Sequence, residues 1–159
     1  MEVKLQRLNA MPAAYVHVLS QSPEEDALRT ILEYTKINGL TQKTGVRLFG
    51  RNTYPTDKPE PHGYEYYLTI DKSAKPMGQV SFKELPGGLY AALSVKNLFK
   101  IAEGWANLFS WVESSGHKPV GVTKGEHGWV NSAFEELVSW QQEQPPTEWV
   151  FNLFVQLRE

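Results

Sequence analysis

Apolar residues along this chain switch between a spacing of two and a spacing of three to four, and that switching predicts its elements. Val3, Leu5, Arg7 and Leu8 suggest a first strand, interrupted near Pro12 and continued by Ala14 to Leu19. Proline cannot donate to a ladder, so a bulge or an edge position is expected there. Ser22, Pro23, Glu24 and Glu25 read as a helix start, with Ser as N-cap, Pro at the first helical position and Glu at the third for a capping box. Ala27, Leu28, Ile31 and Leu32 give the buried stripe, and Asn38 with Gly39 the end. Val46 to Arg51 reads as a short strand, and 52–62, with Pro55, Pro59 and Pro61, as an irregular loop.

The centre of the pattern is the run GYEYYLTID at 63–71. Its β-branched and aromatic residues favour an extended strand, with Tyr66, Leu68 and Ile70 on one face and Glu65, Tyr67 and Thr69 on the other. A carboxylate therefore stands beside a phenol ring. Val80, Phe82 and Leu85 read as the next strand, Pro86, Gly87 and Gly88 as a turn, and Leu89 to Leu93 as a return to strand. Ile101, Trp105, Leu108, Phe109 and Val112 recur at helical spacing until Gly116 and Pro119. The segment 127–138 reads as loop or strand, and Trp149, Phe151, Leu153 and Val155 alternate as in a half-buried strand. Each half is thus strand, helix, strand, strand, with half-repeats of about 1–75 and 76–159 in one domain. Two such units predict an α+β fold: one antiparallel sheet, both helices on one face and a pseudo-twofold axis.

Composition narrows the function classes. The 159 residues suffice for one domain with a core, and 41% hydrophobic content with a net charge of −2 gives no electrostatic footprint for nucleic acid or an anionic membrane. Cysteine is absent, which excludes disulfides, thiolate metal sites and cysteine nucleophiles. No leader pattern or membrane-length apolar run is visible, so a cytoplasmic location is expected. His17, His62, His117 and His127 are scattered, without the spacing of a metal site, and neither a nucleophile elbow nor a phosphate-cradling loop is present. No cofactor is expected. Five Trp, seven Tyr and seven Phe are more than a core of this size needs, and aromatics also line apolar ligand sites.

The run GYEYYLTID, a following strand, LPGGLYA at 85–91 and a helix carrying EGWANLFSWVESS at 103–115 resemble, over nearly the whole chain, the GyrI-like effector-binding domain of AraC- and MerR-type multidrug-responsive regulators. The resemblance implies the same duplicated architecture. It also implies a drug pocket with an acid at its base, just before the last strand and flanked by aromatics, which Phe134 and Glu135 match. The family often has an aromatic two residues after the acid, where this chain has Leu137, and Glu136 competes with Glu135.

Four features are candidates for chemistry. Glu65 with Tyr67 would meet a cationic or hydrogen-bonding ligand through charge and cation–π contact; the plainer alternative is a strand carboxylate paired with a cross-strand Lys or Arg. Glu135 is the second, against a solvated acidic pair at a turn. Trp105 is the third: helical spacing explains it as core, and the resemblance turns it toward a cavity. Tyr90, Trp129 and Trp149 are looser additions, and the histidines are the fourth.

The leading expectation is a stand-alone small-molecule-binding protein that senses or sequesters apolar, cationic aromatic compounds, through Glu65, Tyr67, Tyr90, Trp105, Trp129, Phe134 and Glu135. The chain opens directly on a strand, so no helix-turn-helix segment and no direct DNA contact are expected. The second reading, implied by the resemblance, is a hydrolase of reactive cyclopropane-bearing toxins, in which Glu65 or Glu135 activates water or protonates substrate. The third is a protein-interaction module such as a gyrase inhibitor, with the 52–62 loop as its candidate surface.

Overall fold

The computed structural model of the chain describes residues 2–53, 62–71, 76–120 and 133–159. Among these residues eight strands and two long helices follow one another as β1 (Lys4–Leu8), β2 (Met11–Leu19), α1 (Pro23–Ile37), β3 (Leu48–Thr53), β4 (Gly63–Thr69), β5 (Ser81–Leu85), β6 (Gly88–Lys96), α2 (Ile101–Ser115), β7 (Ala133–Leu137) and β8 (Val150–Leu157). The fold is α+β, with the strand pairs of each unit antiparallel.

The chain condenses into two compact units, one of Met1–Asn9 with Gly87–Glu159 and one of Ala10–Pro86. In the Ala10–Pro86 unit the strands lie in the order β3-β4-β2-β5. Register puts Ala14, Val16, Leu48 and Leu68 on one face, each at most 1% exposed. That apolar face matches the buried stripe of α1, Ala27, Ile31 and Tyr34, which packs on β2 and β4. Gly50 belongs to this face because a Cβ there would lie 2.5 Å from the Tyr64 hydroxyl oxygen. Phe49, Arg51, Tyr15, His17, Glu65 and Tyr67 occupy the other face.

In the second unit the order is β1-β6-β8-β7. Ala91, Leu93, Leu153, Val155 and Leu157 form a core with Leu108 and Val112 of α2. The opposite face carries Tyr90, Ala92, Asn152, Phe154, Phe134 and Glu136.

Local expectations differ in three places. The third strand runs two residues further toward the C-terminus than expected, as Leu48–Thr53, because β4 pairs with it as far as Gly63. Ser22 is the N-cap of α1, yet its side chain makes no capping bond. Ser20 ties that turn instead, accepting from the Ser22 amide at 3.2 Å and donating to Asp26 Oδ2 at 2.7 Å. Pro12 lies within β2, where β2 already pairs with β5 but pairs with β4 only from Ala13 onward. The Pro12 carbonyl accepts from the Ile70 amide at 3.1 Å, at the very end of the β4 ladder, so the missing N–H removes no bond from its middle.

Candidate functional site

The strand Gly63–Thr69 is buried along its whole length. Its alternation therefore forces a carboxylate into a sheet face that water does not reach: Glu65 is 3% exposed. Such a charge is costly unless neighbours answer it. Register supplies them. Arg51 on β3 and His17 on β2 lie directly across from Glu65, and Tyr15 lies across from Tyr67. The Arg51 Nε–H donates to Glu65 Oε1 in an ion pair. The Tyr15 hydroxyl donates to Oε2 at 2.5 Å, and the Tyr67 hydroxyl donates to Oε1 at 3.2 Å. Burial, reinforced by the hydrogen bond to Glu65 and its charge, pushes the Tyr15 phenol well above the ordinary tyrosine range. The proton stays on Tyr15 and continues to be donated.

The two rings meet with centroids 5.0 Å apart, tilted by 57°. Lys83 of β5 reaches over them, its ammonium 4.7 Å from the Tyr15 centroid and 5.9 Å from that of Tyr67. Toward the start of β2, Pro12, Phe82 and Glu84, which alternation puts on the same side of the sheet as Ala14 and Leu68 and opposite the two rings, line a cleft of about 350 Å³ together with Ala13, Ile70, Asp71 and Lys83. At the far end of the face that bears the rings, His17 Nε2 lies 2.7 Å from Thr53 Oγ1. Arg51 and Glu65 cancel in charge. What remains is a pair of electron-rich rings with a cation at their faces.

The other unit separates residues that are adjacent in sequence. Glu135 lies across from Leu153 and takes the helix side of its sheet, where the Trp105 indole N–H donates to Oε2 at 3.3 Å. Trp105 stacks on Phe109 at 5.3 Å and packs against the α2 core. Glu136, 5% exposed, lies across from Asn152 on the opposite face and accepts from its Nδ2 at 3.0 Å. Phe134, Tyr90 and Phe154 share that face, the last two edge to face at 5.8 Å. Of the expected residues, Glu65 and Tyr67 are thus brought together in one unit. Tyr90 and Phe134 share a sheet face in the other, and Glu135 with Trp105 forms a separate pair on the helix side. Trp129 lies outside the described residues. Trp149 donates its indole N–H to the Gln144 carbonyl at 3.0 Å.

Tyr15, Arg51 and Lys83 are missing from the sequence-based set. The alternative of a cross-strand Lys or Arg for Glu65 pointed at Arg51 without naming it. Tyr15 and Lys83 carry no local signal, since only the register of β2 against β4 and β5 brings them to Tyr67. Among the described residues no group of three His, Asp or Glu side chains is arranged to hold a metal ion. No described helix is long and apolar enough to cross a membrane.

Comparison with known proteins is consistent across the fold. The chain matches EcmrR in its complex with DNA at 13% identity and a TM-score of 0.72, covering 99% of this chain and spanning 57% of EcmrR. A hydrolase from Listeria innocua matches at 11% identity and a TM-score of 0.63, with 99% of this chain and 92% of that one covered. SAV2435 bound to tetraphenylphosphonium matches at 9% identity and a TM-score of 0.55, with 99% and 94% covered. At these identities the likeness is one of fold. No curated protein matches the chain by sequence. The duplicated strand and helix order agrees with a family match over residues 1–158, and the chain belongs to the GyrI-like family of small molecule binding domains.

Proposed function

We propose that this chain binds apolar, cationic aromatic compounds, and that the Tyr15–Tyr67 ring pair backed by Glu65 is the surface that selects for positive charge. The observation that carries this reading is the cation already held over the rings, with Lys83 4.7 Å from the Tyr15 centroid. A phenol that donates to a carboxylate shifts electron density into its ring, so both rings, each bonded to Glu65, present faces more attractive to a cation than free tyrosine does. The fold-level likeness to SAV2435, whose structure holds tetraphenylphosphonium, agrees with this ligand class.

Glu65 is the acid of this reading. Glu136, buried on the aromatic-bearing face of the other unit, is its competitor, whereas Glu135 accepts from Trp105 on the helix side. Binding of tetraphenylphosphonium and of neutral triphenylphosphine oxide, followed by isothermal calorimetry, tests the reading. Tyr15→Leu should weaken the phosphonium roughly tenfold and the neutral compound far less, while Tyr15→Phe, which keeps the ring, should fall between. Equal loss of both compounds in Tyr15→Leu would reject charge selection at this surface. In parallel, Glu136→Gln and Glu135→Gln should leave the preference for the cation unchanged.

A further inference from the structure

Lys83 is a residue that small-molecule binding does not by itself require. It belongs to β5, whose first four residues are exposed, and in its unit β5 pairs only with β2. The ammonium nevertheless turns back over the sheet, to 4.7 Å from the Tyr15 ring and 5.9 Å from Tyr67, both within the roughly 6 Å reach of a cation–π contact. Among the described residues no carboxylate stands within ion-pair distance of it, and Glu65, the nearest buried acid of the site, is engaged by Arg51. The rings therefore hold Lys83. A flexible four-carbon stem lets the ammonium leave without moving the strand. Lys83 is exposed, so solvent offers the ammonium a second position.

We propose that Lys83 is a built-in competitor and the specificity-determining residue of this site: its ammonium occupies the ring faces that a ligand cation takes, and swings out into solvent when one binds. This rests on the reading of the tyrosine pair as a cation-binding surface. A ligand cation displaces the Lys83 contact and meets its charge, whereas a neutral aromatic does neither. Lys83 thereby sets a threshold that weak cations do not pass and delocalised, strongly apolar cations do.

The test uses the full chain with tetraphenylphosphonium and triphenylphosphine oxide as probes, on the wild type, Lys83→Met and Lys83→Arg. Lys83→Met keeps the apolar stem and removes the charge, so it should tighten phosphonium binding roughly five- to thirtyfold and change the neutral compound less than about twofold. Lys83→Arg keeps a cation that stacks at least as well on an aromatic face, and should bind the phosphonium no better than the wild type. An independent readout is the Lys83 side-chain proton shift, moved upfield by the ring currents of Tyr15 and Tyr67 in the free protein and released when the phosphonium is added. Absence of that upfield shift overturns the proposal whatever the ligand data. Wild-type binding with no gain in Lys83→Met overturns it while leaving the cation-binding reading intact. If the shift is present and neither probe binds to any variant, the cation-binding reading fails and this proposal falls with it.

Discussion

Glu65 shows how one residue couples stability to recognition. The carboxylate is 4% exposed and its partner Arg51 is 21% exposed, so the pair is largely withdrawn from water and each charge depends on the other. Removing one partner leaves the other under-compensated, whereas removing both leaves two neutral amides. Glu65→Gln should therefore cost about 2–4 kcal/mol in urea unfolding, below the ceiling for a fully buried pair because Arg51 keeps some solvent. The double variant Glu65→Gln with Arg51→Gln should cost about 1–3 kcal/mol less than the sum of the single changes. A coupling under about 0.5 kcal/mol would mean that other donors, Tyr15 and Tyr67 first, hold the carboxylate by themselves. At this scale the sequence was only partly legible. The alternation of GYEYYLTID placed Glu65 and Tyr67 on one face, because neighbours on a strand obey a period of two. Tyr15, Arg51 and Lys83 come from three other strands, and no local pattern encodes which residue of one strand stands opposite which residue of the next.

The same parity decides matters among the elements. In β7 the adjacent acids Glu135 and Glu136 face opposite sides of their sheet, so a shift of one residue separates an acid on the α2 side from one among Tyr90, Phe134 and Phe154. The sequence could place both acids near the last strand, but the register of β7 on β8 decides which is which. The helices were legible in full outline, since Pro23, Asn38 with Gly39, and Gly116 mark ends by backbone chemistry alone. Their internal fit was not. Gly104 is a poor helix residue in the interior of α2, and its reason lies in the sheet beneath: a Cβ there would stand 2.6 Å from Val95 Cγ2 and 3.1 Å from Leu153 Cδ1. Alanine would favour the helix by about 0.5–1 kcal/mol, but forcing the helix off the sheet costs about 1–3 kcal/mol. Gly104→Ala is thus expected to lower stability by about 1 kcal/mol, and Gly104→Ala with Val95→Ala, which opens room for the methyl, to recover the overpacking part. A more stable Gly104→Ala protein in thermal melts would show that α2 shifts on its sheet at little cost.

Across the whole molecule, the order of elements along the chain and the grouping of elements in space follow different rules. Among the described residues the elements run strand, strand, helix, strand, strand, twice over. Compactness divides the chain elsewhere, because the first strand of each run pairs with the unit built from the other: β1 lies along β6, and β5 along β2. Sequence periodicity detects repeats but carries no information on such pairing, since Lys4–Leu8 and Ser81–Leu85 have the same burial pattern and either could edge either sheet. The consequence for the site is direct, for Lys83 reaches the tyrosine pair only because β5 joins β2. It also makes a prediction that separates the two groupings. Removing residues 1–9 deletes the edge strand of the unit that contains α2, with Leu8 among its buried residues and Gly88–Ala92 left without their β1 partners. Losing one buried leucine and a five-residue ladder should cost about 2–3 kcal/mol and lower the melting temperature by roughly 5–10 °C. Hydrogen exchange should rise first along β6, whereas β2, paired to β4 and β5, and β4, paired to β2 and β3, should keep their protection. If exchange rises instead in β2, the first strand supports its neighbour in sequence, and Lys83 owes its position over Tyr15 to contacts other than the exchange of edge strands.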